Sequence, residues 1–397
     1  MTLSESRPNR RAYLDYNATS PLRREALDAI RPLLVEGLDT HFGNPSSIHW
    51  AGQAARRVLE DARGTVAGFF GRKASEIIFT SGATEANNLA LTGVTHHPRD
   101  ANRRLVVSAV EHPSVLAVAD RLAGLGVDVV RVPVDHNGAI ALDVLEQALK
   151  TPTTLVSVAH VNNETGIISP IDAVIRLAHE HGALVHVDAV QSVGRIVPPL
   201  AADLISISAH KLGGLKGAGA LIARSDIPLL AQNLGGPQER THRAGTENVV
   251  GAVSLAAALT ASERARESER ERLTPLRDRL EATLVAQAQS PGDVEIIGAG
   301  APRVFNTCTL VFKHIEGDTL LQALDLEGVA ASSGSACSSG SLEPSHVLLA
   351  MQVPASQALG AIRFSLGWAT SSEDIEHLLD VFPRVYARAK RAPGTRT

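Results

Sequence analysis

TLVSVAHVNNETGIISPIDAVIRLAHEHGALVHVDAV, residues 154–190, contains the strand, helix and strand from which the fold can be predicted. Two runs, TLVSVAHV and ALVHVDAV, are apolar and β-branched almost without interruption, which is typical of strands buried on both faces. Between them, PIDAVIRLAHEHG repeats its apolar residues at helical spacing. A strand, a helix and a strand in this order predict neighbouring parallel strands in one sheet.

The same alternation continues on both sides of this segment. Further strand-like runs are EIIFTSG, RLVVSAVE, DVVRVPVD, DLISISAHK and GALIAR, and helical patterns lie between them. They predict an α/β fold with a doubly wound, mostly parallel sheet over about residues 70–225. Beyond residue 250 the pattern becomes one long helix, or two helices broken at Pro275. The shorter elements that follow are typical of a smaller α+β domain.

Composition excludes several classes of protein. Of 397 residues, 44% are apolar and 20% are charged, which is typical of a soluble globular protein with a sizeable core. A net charge of -4 argues against a nucleic-acid-binding protein. No apolar run is long enough for a membrane span, and the first residues lack the apolar stretch of a signal peptide. Two cysteines form no disulfide framework, so we expect a cytoplasmic protein.

A possible phosphate site lies in FTSGATEANNLA, residues 79–90. A strand ends at Thr80, Ser81 and Gly82 turn the chain, and a helix begins near Thr84. This arrangement directs free backbone N–H groups and the positive end of a helix dipole at one point, which suits a phosphate. The spacing is not that of a Walker loop. The alternative is an ordinary glycine turn with a capping side chain.

Two further residues are predicted at the same edge of the sheet. Asp188 ends a buried strand, where a carboxylate needs a partner such as a pyridinium N–H, although it could simply cap the next turn. Lys211 follows the strand DLISIS, flanked by Ser208 and His210. Such a lysine is either a surface charge or an amine that forms a Schiff base. Chemistry alone does not exclude the nearby Lys216 from that second role.

Ten motifs, in order along nearly the whole chain, resemble those of one enzyme family. They are YLDYNATSPL, FGNPSSIHWAGQAAR, IIFTSGATEANNLAL, VEHPSVL, VSVAHVNNETGIISPI, HVDAVQSVGRI, SISAHKLGGLKGAGAL, RAGTENVVGAV, SSGSACSSGSLEPSHVL and AIRFSLG. The family is the pyridoxal-phosphate enzymes of the class V aminotransferase superfamily, and more narrowly the NifS/IscS-type cysteine desulfurases. The resemblance implies PLP fold type I and a homodimer with the active site at the subunit interface. It also implies a large cofactor domain, residues 20–255, and a small domain, residues 1–19 plus 256–397.

The resemblance further implies roles for individual residues. Lys211 would hold pyridoxal 5'-phosphate as a Schiff base, Asp188 would pair with the ring nitrogen, and Gln191 would approach the phenolic oxygen. His112 would stack on the ring and transfer protons, and Arg363 would bind the substrate carboxylate. The remaining cofactor or substrate contacts implied are Ala83, Thr84, Asn163, Ser208 and His210, with Thr246 reaching the phosphate from the partner subunit.

Cys337 lies in ASSGSACSSGS, residues 331–341, and by resemblance it takes the sulfur of L-cysteine as a persulfide, leaving L-alanine. Serine and glycine predict a mobile loop that carries the sulfur to an acceptor protein, such as one that assembles iron–sulfur clusters. Residues 331–341 contain no Lys or Arg, so we expect the thiol to be activated only near His112 or the cofactor. No metal site is expected, although Cys337 could transiently contact an iron–sulfur cluster. Cys308, on an apolar strand, is predicted to be a core residue.

Two alternatives remain open at this point. One is a related enzyme of the same superfamily, such as a selenocysteine lyase, which need not pass through a persulfide. The other is a degenerate protein of this fold that serves as a scaffold, which the joint presence of Lys211, Asp188, His112 and Arg363 disfavours. The chain also departs from the family pattern at Thr241-His242, where a small and apolar pair is more usual.

Overall fold

The strands in the described part of the chain form three separate sheets. The computed structural model describes residues 10–34, 41–97, 102–287, 292–333 and 343–391. The strands in this part of the chain are β1 (Ala12–Tyr13), β2 (Ile77–Thr80), β3 (Arg104–Ser108), β4 (Asp128–Val132), β5 (Leu155–Ala159), β6 (Leu184–Asp188), β7 (Leu204–Ser208), β8 (Gly219–Ala223), β9 (Val294–Ile296), β10 (Thr307–Phe312), β11 (Val329–Ala330) and β12 (Ala361–Ser365).

Helices occupy most of the intervening chain. They are α1 (Arg24–Leu34), α2 (Trp50–Phe69), α3 (Ala83–Thr95), α4 (Pro113–Gly124), α5 (Leu142–Leu149), α6 (Ile171–Glu180), α7 (Val249–Ala286), α8 (Gly317–Leu326), α9 (His346–Ala350), α10 (Ala355–Ala358) and α11 (Ser372–Ala389). Short 3-10 helices cover Ala74–Glu76 and Ala209–Lys211, and Gln238–Thr241 forms a turn in which Glu239, Arg240 and Thr241 have positive φ. The helices α3, α4, α5 and α6 each follow a strand of the largest sheet, as the alternating sequence pattern predicted.

The largest sheet has seven strands in the order β2-β8-β7-β6-β5-β3-β4. All of its neighbouring pairs are parallel except those made by β8, which runs antiparallel to both β7 and β2. This confirms the predicted α/β fold with a mostly parallel sheet. Because β2, β3, β5, β6 and β7 point the same way, their carboxyl ends lie along one edge, where ligands bind in open α/β sheets.

Helices cover both faces of this sheet. Ile78 and Leu105 pack with α3 and α4 in one apolar cluster. Ile77 and Val106 pack with α2, α6 and the first part of α7 in another cluster on the opposite face. Apolar residues alternate between the two faces of each strand, and this explains why the strands read as continuous apolar runs in the sequence.

A second core forms around the antiparallel sheet β9–β10–β12. The helices α8 and α11 cover it, and Phe312 and Phe364 lie at its centre. The N-terminal strand β1 pairs in parallel with β11, so Ala12 and Leu14 are buried in this C-terminal core. The first described residues of the chain are therefore held by residues more than three hundred positions away.

Helix α7 is shared by the two cores. Leu255 near its start packs with the large sheet, and Leu273 and Leu280 pack in the second core. The helix is continuous through Pro275, although proline lacks the N–H that would bond to the preceding turn. The segment is therefore one long helix and not two helices broken at Pro275, because apolar contacts on both sides of Pro275 hold it.

Two kinds of feature are absent from the described ranges. None of the helices there is both long and apolar enough to cross a membrane. The same residues contain no group of three or more His, Cys, Asp or Glu side chains that could hold a metal ion.

Candidate active site

A cavity of about 870 Å³ opens at the carboxyl ends of the parallel strands. Its volume lies within the range of small-molecule binding sites. The residues predicted from the sequence that line it are Ala83, Thr84, His112, Asn163, Asp188, Gln191, Ser208, His210, Lys211 and Arg363. Thr246 is exposed and does not line this cavity. Cys337 lies outside the described residues.

The N-terminus of α3 forms one end of the cavity. Gly82 precedes the helix, and no side chain caps the first N–H groups. A Cβ at Gly82 would meet only the Ser208 hydroxyl, at 3.8 Å, so the space in front of the helix is open. Gly219 on β8 approaches closely, since a Cβ there would lie 2.6 Å from the Cα of Gly82. Uncapped N–H groups that face a cavity fit a phosphate group.

Asp188 presents a buried carboxylate at the end of β6. Its Oδ2 accepts a hydrogen bond from the Asn87 amide at 2.9 Å, and its Oδ1 accepts one from the backbone N–H of Val190 at 3.0 Å. Asn87 also donates to the Ser114 hydroxyl at 2.9 Å, which fixes the orientation of the amide. A carboxylate held in this way fits a positively charged ring nitrogen.

Lys211 places its amine in the same cavity. It ends the short helix that follows β7, and its Nζ donates to the carbonyl oxygens of Asn17 at 2.5 Å and Ala18 at 2.9 Å. Lys216 also lines the cavity but is exposed, whereas Lys211 is half-buried. The geometry therefore favours Lys211 over Lys216 as an amine that reacts with an aldehyde.

His112 caps the N-terminus of α4 with its own ring. Its Nδ1 accepts the backbone N–H of Ser114 at 3.1 Å, so the proton of the neutral imidazole resides on Nε2. Burial lowers the pKa of His112, and the negative charge of Asp188 acts in the opposite direction. Burial also lowers the pKa of His210, to about 4. Both imidazoles are neutral near pH 7.

The carbonyl oxygen of Asn17 joins two of the predicted residues. It accepts hydrogen bonds from Lys211 and from the Gln191 amide at 3.0 Å. The Oε1 atom of Gln191 is buried and has no hydrogen-bond partner in the described part of the chain. An unpaired buried amide oxygen beside a cavity is costly unless a ligand or water satisfies it. Asn17 belongs to the motif YLDYNATSPL, but the sequence predicted no role for this residue.

Arg363 lies on β12 and is 2% exposed. Its Nη2 donates to the Asp15 carboxylate at 2.8 Å, and its Nη1 donates to the backbone oxygen of Asn163 at 3.1 Å. Its Nε is buried without a hydrogen-bond partner among the residues described. A fixed guanidinium with an unused N–H at the cavity wall fits a carboxylate ligand.

The cavity wall includes an acidic residue and a segment that the sequence analysis did not single out. Glu164 is buried beside Arg363, and Glu343, Pro344 and His346 line the cavity next to it. Glu164 belongs to the quoted motif VSVAHVNNETGIISPI and the other three to SSGSACSSGSLEPSHVL. In the sequence, these four residues were therefore distinguished only by their position next to residues with a predicted role.

The described residues on both sides of the segment that carries Cys337 lie close to this cavity. Ser332, before the segment, exchanges two backbone hydrogen bonds with Arg363, at 3.1 and 2.7 Å. Glu343, after it, lines the cavity. Cys337 is four residues beyond Ser333, which limits its reach from that point to about 14 Å.

Taken together, these groups fit pyridoxal 5'-phosphate. The uncapped N-terminus of α3 suits its phosphate, the Lys211 amine suits its aldehyde, and the Asp188 carboxylate suits its ring nitrogen. The buried Oε1 of Gln191 has no hydrogen-bond partner among the described residues, and a bound ligand or water would supply the missing donor. The unsatisfied Nε of Arg363 marks a second such point, where an amino-acid carboxylate would fit beside the cofactor.

Comparison with known proteins adds independent findings. The family model described as class-V aminotransferase matches residues 12–378. A cysteine desulfurase IscS from Dictyoglomus turgidum is 44% identical over 384 residues, covering 96% of each chain. A cysteine desulfurase from Cereibacter sphaeroides is 44% identical over 381 residues, covering 94% of this chain and 95% of the other. The solved structure of a NifS-like protein superposes with a TM-score of 0.87 at 34% identity, covering 96% of this chain and 100% of the other.

Proposed function

The chain belongs to the class-V aminotransferase family, and from this premise we propose that it removes sulfur from L-cysteine with Cys337 as the first acceptor. The products are L-alanine and a persulfide on Cys337. The bond between Cβ and sulfur breaks, an S–S bond forms, and Cβ gains a proton. Reduction of Cβ balances oxidation of sulfur, so this step needs no external electron donor.

One observation carries this proposal. A single cavity brings together an amine, a carboxylate, an uncapped helix N-terminus and a buried guanidinium, and the described residues on both sides of the Cys337 segment lie close to that cavity. The first three groups suit the cofactor and the guanidinium suits an amino acid. A degenerate scaffold would have no reason to retain buried polar groups that lack partners, because each of them destabilises the fold.

The cofactor would be held by residues of the large sheet. Lys211, Asp188 and Gln191 would contact its ring system, while Ala83, Thr84, Ser208 and His210 would surround its phosphate. When bound, pyridoxal phosphate supplies a protonated ring that withdraws electrons from the carbons of the amino acid. This withdrawal makes the substrate Cα acidic and its sulfur open to attack.

The chain's own side chains handle binding and protons. Arg363 binds the substrate carboxylate, and Asn163 lies beside it. Lys211 Nζ removes the proton from Cα, and the Asn17 and Ala18 carbonyls that hold this amine keep it in the cavity. His112, neutral near pH 7 and carrying its proton on Nε2, transfers protons to and from the reacting groups.

The two cysteines provide a matched experiment. Cys337→Ala should abolish sulfide release from L-cysteine in the presence of a thiol reductant, while the cofactor absorbance is retained. Cys308→Ala is the control, because Cys308 is buried in β10 away from the cavity. We expect that control to keep the turnover of the unchanged protein. A Cys337→Ala protein with full turnover would instead indicate a lyase that does not form a persulfide.

We also propose that two copies of the chain complete each site. Thr246 is exposed and does not line its own chain's cavity, which leaves it available to a partner's phosphate. Large apolar side chains are exposed on the surface, including Ile48, Trp50 and Leu234. Sedimentation should give the mass of a dimer. Thr246→Ala should weaken cofactor retention without changing that mass.

The persulfide must pass to a further acceptor. We propose cytoplasmic acceptor proteins with a free thiol, including those that assemble iron–sulfur clusters. A relative named cysteine desulfurase IscS supports the transfer of sulfur to an acceptor. Transfer of labelled sulfur from the protein to a purified scaffold protein is the direct assay.

A further inference from the structure

Glu164 is an acidic residue of the cavity with no role in the mechanism above. It is 4% exposed and follows Asn163, whose backbone oxygen accepts a hydrogen bond from Arg363. Its carboxylate accepts a hydrogen bond from the Ser345 hydroxyl, at the start of α9. Its backbone oxygen accepts one from the Thr309 hydroxyl on β10, at 2.6 Å. The side chain is thus fixed at the substrate end of the cavity.

Before any substrate binds, the positive charge of Arg363 beside Glu164 is already paired with the negative charge of Asp15. Arg363, on β12, is the positive group that acts on Glu164. Asp15, in the N-terminal segment, already pairs with that guanidinium at 2.8 Å. The other titratable groups that line the cavity are Glu85 on α3, His112 just before α4, Glu343 before α9, His346 at the start of α9, and Asp188, His210, Lys211 and Lys216 at or just beyond the strand ends.

We propose that Glu164 takes up a proton when the carboxylate of an amino acid binds Arg363, and thereby sets how strongly the substrate binds. The inference rests on the proposed function, which assigns the substrate carboxylate to Arg363. A bound carboxylate would join Asp15 on the same guanidinium, so two negative charges would share one positive charge. An ionised Glu164 beside them would add a third negative charge in a buried site, which is unfavourable.

The state of Glu164 before binding makes this uptake measurable near neutral pH. Burial raises the pKa of Glu164 to about 7, while the hydrogen bond from Ser345 and the charge of Arg363 lower it. A substrate carboxylate bound to Arg363 would offset part of the positive charge that lowers the pKa of Glu164. The pKa of Glu164 would therefore rise further. Ser345 can donate to the carboxylate or accept from the acid, so the contact with α9 is compatible with both states.

The pH dependence follows with a definite sign. A carboxyl group with a pKa of about 7 is about 90% protonated at pH 6 and about 10% protonated at pH 8. If only the protonated form accepts a second carboxylate, affinity for a carboxylate falls as pH rises through this range. The limit of the effect is about a tenfold rise in the inhibition constant between pH 6 and pH 8.

Propionate tests this inference on the holoenzyme, because it carries the carboxylate but neither amine nor thiol and does not titrate in this range. Its inhibition constant against L-cysteine should rise about tenfold from pH 6 to pH 8 in the unchanged protein. Glu164→Gln keeps the size of the side chain and should flatten the profile, with tighter inhibition than the unchanged protein at pH 8. Glu76→Gln is the matched control, since Glu76 is 8% exposed and does not line the cavity.

A second measurement needs no variant. Addition of propionate to the unchanged holoenzyme in weak buffer at pH 7.5, with an indicator dye, should show proton uptake by the protein. The inference would be overturned if no proton is taken up. It would also be overturned if the inhibition constant of propionate changes with pH in the same way in the unchanged protein and in Glu164→Gln. In both cases the proposed function stands if Arg363→Ala abolishes inhibition by propionate. If Arg363→Ala is inhibited as strongly as the unchanged protein, the assignment of the carboxylate to Arg363 is wrong, and the inference about Glu164 fails with it.

Discussion

Replacement of Arg363 by lysine should raise the KM for L-cysteine far more than it lowers kcat. In the structure the guanidinium donates from Nη2 to Asp15 and from Nη1 to the Asn163 backbone, and its Nε is buried and unpaired. Lysine carries a single ammonium group, which cannot satisfy Asp15 and a planar carboxylate in the same geometry. The loss of at least one charge-assisted hydrogen bond is worth about 1.5–3 kcal/mol. This corresponds to a fall in kcat/KM of about 10- to 150-fold.

The assay is steady-state alanine formation with a fixed amount of reductant, at several concentrations of L-cysteine. Arg303→Lys is the matched control, because the Arg303 side chain is 9% exposed, pairs with Glu281 at 2.5 and 3.0 Å, and lies outside the cavity. We expect the control to keep its kcat/KM within about twofold. A loss of less than about threefold in Arg363→Lys, with cofactor absorbance retained, would refute the assignment of the carboxylate to this residue.

Four further changes have definite expected results. Asp188→Asn should retain the cofactor yet lower kcat for alanine formation by about 10- to 1000-fold. The reason is that a nearby opposite charge, which asparagine lacks, shifts the pKa of a ring nitrogen by about 1–3 units. Glu239→Ala should destabilise the fold by about 3–5 kcal/mol in urea unfolding, since it leaves the Arg63 guanidinium, 3% exposed, without its buried carboxylate. Thr241→Gly should stabilise the fold by up to about 1 kcal/mol and so raise the midpoint of urea unfolding. Thr241 is β-branched and has a φ of 71°, a backbone conformation that is strained for threonine and not for glycine. Burial lowers the pKa of His186 to about 4, so the unfolded chain binds more protons between pH 4 and 6.5 and stability falls as pH falls through that range; His186→Asn should reduce this slope by about one proton.

Much of the large sheet could be predicted because its information is local. Each of its strands is a short apolar run, and each of α3 to α6 follows a strand directly, so periodicity alone was sufficient. The antiparallel direction of β8 could not be predicted, since it depends on how the chain returns between β7 and β2. The continuity of α7 through Pro275 was left open for a similar reason: packing against two separate cores decides it.

The same division between local and distant information applies to the site. Asp188 and Lys211 were predicted because a strand end fixes their position at one edge of the sheet. The partners of Arg363 were not, because Asp15 is 348 residues away in the chain and is brought near by the pairing of β1 with β11 and of Asp15 with Ser365. Glu164 was missed because a single glutamate in a loop has no pattern that distinguishes burial from exposure.

Some predictions stay predictions. The division into residues 20–255 and residues 1–19 plus 256–397 is one of them, and α7 crosses its boundary, with Ala258 and Leu259 packed in the core of the large sheet. The roles of the individual site residues, including Thr246 from a partner subunit, depend on the variants proposed above. Cys337 lies in residues 334–342, outside the described ranges, and its role depends on chemistry that can be measured directly.

That measurement is the location of sulfur after a single turnover. The holoenzyme is mixed with one equivalent of L-cysteine without reductant, the thiols are blocked, and peptides are analysed by mass spectrometry while alanine is quantified. One added sulfur atom on the peptide that contains Cys337, in proportion to alanine, is the predicted result. Alanine formed with no added sulfur on that peptide, or with the sulfur on Cys308, would contradict the account.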